Sequence, residues 1–164
     1  MSRHAALALV LATAVSTALA DARGDCYAMT GDAAISACTE AIARDPRDVP
    51  SYISRAFELQ EKGDYQRSIA DYAKAVEIDP ARWDAYQGRA WAYLKLGRPE
   101  AALRDAEAAV KLQPSAAQAL DVRGHVLEAL GRREEAIADF RRALTIEPRL
   151  GGSREGLKRL GATP

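Results

Sequence analysis

One stretch of this 164-residue chain recurs every 34 residues, and the recurrence constrains the fold more than any other feature of the sequence. The stretch covers residues 64–80 and returns at residues 98–114 and 132–148, with a weaker copy at residues 30–46. Glycines and prolines stand in phase with these copies: Gly63, Gly97, Gly131, Pro46, Pro80, Pro114 and Pro148. A period of this length is typical of helix-pair repeats, in which each unit buries its apolar face against its neighbours.

Each full copy predicts a leading helix and a trailing helix, separated by a glycine that can adopt the left-handed conformation of a helix end. Apolar residues recur in these segments at helical spacing. The predicted leading helices cover residues 49–62, 83–96 and 117–130, and the predicted trailing helices cover residues 65–78, 99–112 and 133–146. The central part of the chain therefore divides into three repeats, at residues 49–82, 83–116 and 117–150.

Two columns of charge run through the repeats when the copies are aligned. The basic column is Arg55, Arg89 and Arg123, and the acidic column is Asp71, Asp105 and Asp139. We expect ion pairs between helices, either within a repeat or between neighbouring repeats. Solvated charges without coupling are the alternative, because exposed pairs contribute little to stability.

The aligned columns resemble the tetratricopeptide repeat. The pattern W-x2-L-G-x2-Y, followed by A-x3-F, A and P, is matched in the second repeat by Tyr86, Arg89, Ala90, Tyr93, Ala102, Ala106, Ala109 and Pro114. Arginine stands where the family usually has leucine. The resemblance covers residues 49–148 in full and 30–46 in part. It implies an all-α fold, a right-handed α-α superhelix with three full repeats, an N-terminal half repeat and a C-terminal capping helix.

The first twenty residues predict a secretory signal peptide. Arg3 and His4 precede an uncharged run at residues 5–20, which ends in the small residues Ala18 and Ala20. A short basic start, an apolar middle and small residues at the end are the layout of such a leader. We expect cleavage after Ala20 and export, to a bacterial periplasm or as a secreted protein. An uncleaved anchor is the alternative, but the run is short and rich in alanine.

Residues 21–48 predict a half repeat that begins the array, with a lone helix at residues 32–44. They also contain both cysteines of the chain, Cys26 and Cys38. An even pair in an oxidising compartment is most simply a disulfide, although two separate buried thiols are the alternative. The bond would pin the incoming segment across the lone helix. A lipid anchor on Cys26 is disfavoured, because an acidic residue precedes it.

Residues 151–164 predict a short capping helix and a tail. Ser153 is a candidate N-cap, because its hydroxyl can accept a hydrogen bond from the first turn. Leu157 and Leu160 fall at helical spacing and are expected to cover the open end of the third repeat. Terminal repeats need such a polar-backed cap for solubility.

The residue types that carry chemistry are sparse. The chain has two histidines, and neither spacing nor neighbours indicate a metal cluster, a nucleophile–base pair or a phosphate-binding loop. We therefore predict no catalytic residues, no cofactor and no metal site. The formal net charge is zero, so composition gives no reason to expect nucleic acid or an anionic membrane as partner. No membrane anchor is expected after the leader is removed.

The resemblance implies that the leading helices line a concave groove that takes peptides or helices. The candidate groove residues are Ile53, Phe57, Gln60, Gln87, Trp91, Leu94, Lys95, Asp121, His125 and Glu128. Phe57 and Trp91 would anchor a partner, or they would pack locally. Some family members clamp a peptide carboxylate with basic groove residues, but Lys95 is nearly alone here, so a clamp is disfavoured. The groove is expected to be apolar toward its N-terminal side and acidic toward its C-terminal side, which favours a partner with a basic flank.

These observations predict a non-catalytic interaction module that binds a protein or peptide partner. The expected setting is the periplasm, where the protein would be a monomer or a subunit of an envelope-associated complex. A self-associating homo-oligomeric scaffold is the alternative, and an enzyme is a remote one.

Overall fold

The structure, a computed structural model, describes residues 23–163, so the predicted leader lies outside the described residues. Helices joined by short turns make up nearly all of this range. They are α1 (Gly31–Arg44), α2 (Val49–Glu61), α3 (Tyr65–Ile78), α4 (Trp83–Lys95), α5 (Pro99–Leu112), α6 (Ala117–Ala129), α7 (Arg133–Ile146) and α8 (Gly151–Arg159). A short helical segment at residues 23–28 precedes them. The all-α superhelix expected from the sequence is confirmed.

The three predicted helix pairs are α2–α3, α4–α5 and α6–α7, and each leading helix ends one residue before the predicted position. The glycine that follows each leading helix has positive φ, +79° at Gly63, +69° at Gly97 and +73° at Gly131. This conformation lets the next amide return to the last helical turn; the Asp64 amide, for example, donates to the Leu59 carbonyl at 2.8 Å. The in-phase glycines therefore set where each trailing helix starts.

The helix contacts define which side of the array is concave. Each helix packs against the next one in the chain, and the leading helices α2, α4, α6 and α8 also pack against one another in order. No two trailing helices among the described residues come into comparable contact. Because the leading helices lie closer together, they form the inner face of the curved stack, and the trailing helices form the outer face.

The N-terminal unit is more complete than the sequence indicated. In the sequence, α1 lies one 34-residue period before the trailing helix α3. Residues 23–28 lie one period before the end of the leading helix α2. A disulfide joins Cys26 to Cys38, as predicted, so this short segment is tied directly to α1. Arg23 adds hydrogen bonds of 2.8 Å to the carboxylates of Asp45 and Asp48. The prediction of a helix without any helical partner was therefore wrong.

The C-terminal helix α8 is a truncated fourth leading helix. It begins at Gly151, one period after α6 begins at Ala117, and it has nine residues where α6 has thirteen. Leu157 is fully buried, which confirms its predicted covering role. Ser153 is not the N-cap, since the helix begins two residues before it. Its buried hydroxyl instead donates to the carboxylate of Asp121 at 2.6 Å.

The arginine and aspartate columns pair within each repeat. Two guanidinium nitrogens donate to the two carboxylate oxygens at 2.6–2.7 Å in each pair. The pairs are Arg55–Asp71, Arg89–Asp105 and Arg123–Asp139. The aspartates are buried and their hydrogen bonds raise the pKa of all three guanidinium groups. Each pair therefore ties a leading helix to its own trailing helix.

Two aromatic rings on trailing helices pack directly against glycines of the neighbouring leading helices. The ring of Tyr72 on α3 lies on the backbone of Gly88 on α4, so close that a β-carbon at Gly88 would fall 2.3 Å from the ring. Phe140 on α7 lies between Gly124 and Gly156 in the same manner. Large side chains on trailing helices therefore fit only because the facing leading helices have no side chain at these points.

Candidate functional site

Three adjoining pockets run along the concave face. The N-terminal pocket has a volume of about 400 Å³ and lies between α2, α4 and the segment before α1. The central pocket, of about 240 Å³, shares Phe57 and Gln87 with it. The C-terminal pocket, of about 480 Å³, shares Trp91 with the central one and ends against α8. The shared residues make the three pockets one continuous groove.

The structure places all ten predicted groove residues along this groove. The N-terminal and central pockets contain Ile53, Phe57, Gln60, Gln87, Trp91 and Asp121. The C-terminal pocket contains Trp91, Leu94, Lys95, His125 and Glu128. They come together because the leading helices repeat the same orientation every 34 residues. Their role in binding stays a prediction.

The two groove aromatics differ in how much surface they offer. Phe57 is 53% exposed, although it lies in a concavity. Trp91 is partly buried; its ring lies 5.8 Å from the His125 ring, and the Lys95 ammonium lies 4.4 Å from the centre of the indole. Trp91 therefore packs against neighbouring groove side chains, whereas Phe57 offers a free apolar surface, and a binding role for either residue stays a prediction.

The C-terminal pocket is not the open acidic surface that the sequence suggested. Arg159 donates two hydrogen bonds to Glu128, at 2.9 and 2.7 Å, and a third, at 3.1 Å, to Nδ1 of His125. The bonds from Arg159 hold the pKa of Glu128 below its usual range. Asp121 in turn accepts the hydrogen bond from Ser153. The expectation of an acidic C-terminal side is wrong for this pocket, because Lys95 and Arg159 offset Glu128 and Glu155 there.

The first two pockets, in contrast, are lined by charged residues of one sign. Every charged residue that lines them is acidic: Glu58, Glu61, Asp84 and Asp121. Tyr72 lies between these groups, and its pKa is raised, mainly by burial and then by Asp84 and Glu61. The N-terminal half of the groove therefore combines apolar surface with negative potential.

The sequence reasoning missed several groove residues, among them four from the two ends of the array: Tyr27, Met29, Glu155 and Arg159. The repeat period contains the signal for three of them. Tyr27 stands two periods before Lys95, and Arg159 stands one period after His125, so both extend columns already recognised. Glu155 extends the column of Asp121 in the same way. Met29 falls in the turn before α1, at a position with no groove counterpart in the other repeats.

Within residues 23–163, no group of three or more histidine, cysteine, aspartate or glutamate side chains is arranged to hold a metal ion. Among the helices described, none is long and apolar enough to span a bilayer.

Solved structures share this fold. The second tetratricopeptide domain of human RPAP3, in complex with the HSP70 peptide SGPTIEEVD, is 30% identical over 70% of this chain and 96% of that chain, with a TM-score of 0.64. The first tetratricopeptide domain of Spaghetti (RPAP3), bound to the HSP90 peptide SRMEEVD, is 28% identical over 71% and 93%, with a TM-score of 0.66. MamA from Desulfovibrio magneticus RS-1 superposes at 0.75 over 90% and 83% but is 19% identical, so it shows the fold alone.

A comparison with curated protein sequences gives no significant match. The sequence model of the tetratricopeptide repeat matches residues 53–104 and 87–150, which together span more than half of the chain. The matched residues contain most of the three helix pairs, the glycines at positions 63, 97 and 131 and all ten predicted groove residues. The chain therefore belongs to the tetratricopeptide repeat family.

Proposed function

We propose that this protein is an exported, non-catalytic interaction module that binds a peptide or a helix of a partner protein in its concave groove. The observation that carries the proposal is the continuous three-pocket groove with Phe57 exposed inside it. Concave surfaces with a few large apolar anchors and polar edges are where proteins hold peptide ligands.

The related domains indicate the kind of partner. RPAP3 domains bind peptides from HSP90 and HSP70, which supports a peptide as the ligand here. The peptides in those complexes end in acidic residues, whereas this groove has acidic first and second pockets and commits Arg159 to Glu128. We therefore expect a partner of different chemistry, and we expect the peptide SGPTIEEVD to show no saturable binding.

The proposed location is the periplasm, with cleavage after Ala20. The leader-like composition of residues 1–20 and the disulfide between Cys26 and Cys38 support export, since such bonds persist in oxidising compartments. N-terminal sequencing of the protein from its native host tests this. A sequence that starts at Asp21 supports export, and a mature protein that retains residues 1–20 contradicts it.

A pull-down from a periplasmic extract of the native host tests the binding function. The wild type is compared with Phe57→Ala and Trp91→Ala in the groove, and with Ile146→Ala as the matched control. Ile146 is also an exposed large apolar residue, but it ends α7, a helix of the outer face. We expect at least one groove substitution to deplete a protein that the control retains. Capture that no groove substitution changes would contradict groove binding.

A further inference from the structure

The N-terminal pocket has a chemistry that the proposed function does not specify. We propose that it binds a large aliphatic or aromatic side chain of a peptide whose neighbouring residues are lysine or arginine. The inference rests on the proposed function and deepens it, because it names the chemical class of the peptide and the part of the groove that binds it.

The apolar part of the argument is the clustering of exposed side chains. Within the described residues, five large apolar side chains are strongly exposed, and three of them line this one pocket: Tyr27 at 50%, Met29 at 41% and Phe57 at 53%. The other two, Leu112 and Ile146, end helices α5 and α7. Single exposed apolar residues are ordinary, but a cluster inside a concavity marks an interaction site.

The two walls of the pocket are held in place before any partner arrives. Phe57 projects from α2, whereas Tyr27 and Met29 belong to the segment that the disulfide ties to α1. The same segment is fixed to the start of α2, since Arg23 donates to Asp48 and the Tyr27 hydroxyl lies 3.5 Å from the Ser51 hydroxyl. A pocket whose walls are already ordered loses little entropy on binding.

The carboxylates along the first two pockets favour a peptide with basic residues over an acidic or neutral one. Two of the four acidic residues along the first two pockets have strong side-chain partners, Asp84 with Arg82 and Asp121 with Ser153. Glu58 accepts a hydrogen bond from the amide of Gly31, and within residues 23–163 neither Glu58 nor Glu61 has an ion-pair partner. In the part of the chain that the structure describes, Glu58 and Glu61 therefore have no cation beside them, and a lysine or arginine next to the anchor complements them.

The other half of the groove has no such bias. Its charged lining has Lys95 and Arg159 against Glu128 and Glu155, so basic and acidic groups balance there. The preference for a basic segment is thus confined to the N-terminal and central pockets. This contrast gives the test a second site within the same groove for comparison.

Selection from a random peptide library on the purified, disulfide-bonded protein tests the inference. We expect the enriched peptides to place a large apolar residue next to lysine or arginine. For the most enriched peptide, Phe57→Ala should weaken binding about tenfold or more. Glu61→Gln should weaken it less and reduce its dependence on salt, because one screened attraction is lost. Ile146→Ala and Glu100→Gln, the matched apolar and acidic controls on outer helices, should leave the affinity unchanged.

The outcomes separate this inference from the proposed function. Enriched peptides without basic residues, or peptides whose binding depends on Trp91 or Arg159 and not on Phe57, would overturn the inference and leave groove binding intact. If no peptide depends on any groove residue, both fail. Light scattering that shows a dimer dissociated by Phe57→Ala would assign the pocket to a second copy of this chain and would also overturn the inference.

Discussion

Side-chain pairs between helices explain why this sequence forms a stack with defined joints. The three arginine–aspartate pairs are bidentate and partly buried; in the second repeat the side chains of Arg89 and Asp105 are 18% and 10% exposed. A partly buried carboxylate that loses its partner keeps its desolvation cost, so such a pair specifies geometry more than it adds net stability.

A double-mutant cycle measures this coupling. We expect Arg89→Leu and Asp105→Ala each to lower the free energy of unfolding and to couple by about 0.5–3 kcal/mol. Arg132 and Glu135 form the matched control, because they are also bidentate but lie exposed on the surface. Urea unfolding should show no measurable coupling for the control. Equal coupling in both cycles would contradict the role of burial.

At each repeat joint, where the trailing helix of one repeat packs on the leading helix of the next, the facing side chains are complementary in size. Tyr72 faces Gly88, and one period later Ala106 and Val122 hold the corresponding positions in one apolar cluster. At the first joint the large residue, Tyr72, is on the trailing helix and the small one, Gly88, is on the next leading helix. At the following joint the smaller residue, Ala106, is on the trailing helix and the larger one, Val122, is on the leading helix. The total volume at the joint is conserved while its distribution changes.

Exchanging the sizes at the first joint tests this interpretation. Gly88→Val alone should destabilise the protein by about 1–3 kcal/mol, because the new side chain overlaps the Tyr72 ring. Adding Tyr72→Ala should restore part of the lost stability, since the pair then matches Ala106 and Val122. Thermal unfolding of the four proteins gives the result. A double variant as unstable as the sum of the single ones would exclude size complementarity.

The residue-scale pairing was only partly predictable. Aligning the copies identified the charged columns, because identical residue types recur at Arg55, Arg89 and Arg123. The size complementarity was not visible, since it requires knowing that the column of Tyr72 faces the column of Gly88 on the next helix. Facing relations between columns follow from helix packing, which a single sequence does not contain.

Among the elements, the two ends of the array differ most from the central helices. Among the described residues, the N-terminal segment has one short helical stretch, at residues 23–28, and the disulfide ties it to α1. At the other end, α8 uses Leu157 to cover the last repeat and Arg159 to reach the groove. Both ends therefore contribute groove residues as well as caps.

Removal of the disulfide tests the N-terminal element. The bond closes a loop between positions 12 residues apart, which in the chain-entropy model is worth about 2–3 kcal/mol. We expect the Cys26→Ala/Cys38→Ala variant to keep its helical circular dichroism but to lose about this stability against urea. Its affinity for a peptide bound at the N-terminal pocket should also fall, because Tyr27 and Met29 lose their tether. Unchanged affinity would show that this wall does not take part.

Acid titration tests the attachment of α8. The pKa of Glu128 is lowered by Arg159, so the pair contributes stability above the ordinary carboxyl pKa and loses it as pH falls through the folded value. The advantage of wild type over Glu128→Gln should be constant from neutrality to about pH 5 and shrink below it. We expect about 1 kcal/mol or less, since Arg159 is half exposed. Glu100→Gln serves as the control, and an advantage that grows on acidification would contradict the sign.

The elements of the centre were predictable and those of the ends were not. In the centre, Gly63, Gly97 and Gly131 mark each leading helix, so the predicted bounds agree within a residue. Helix α8 ends at Arg159, four residues earlier than the period requires, and the positive-φ glycine that follows it is Gly161, so its identity as a leading helix was obscured. At the N-terminus, residues 23–28 are only the last part of a leading helix and show no complete apolar period.

Over the whole molecule, the arrangement of the helix pairs is the same in every repeat, whereas the side chains on the concave face differ between repeats. The acidic column on the trailing helices, Asp71, Asp105 and Asp139, is the same in every repeat, whereas the groove column of Phe57, Trp91 and His125 changes at every repeat. The sequence predicted which residues would line the groove, because one orientation recurs. It did not predict the charge distribution, which depends on the partners that α8 supplies to Asp121 and Glu128.

The most direct test of groove recognition is nuclear magnetic resonance titration of the labelled, disulfide-bonded protein with the most enriched library peptide. We predict saturable shift changes at the amides of Phe57 and Gln87 and at the indole of Trp91, with none at Ile146 on the outer face. Changes confined to the trailing helices α3, α5 and α7, or changes that do not saturate, would contradict recognition in the concave groove.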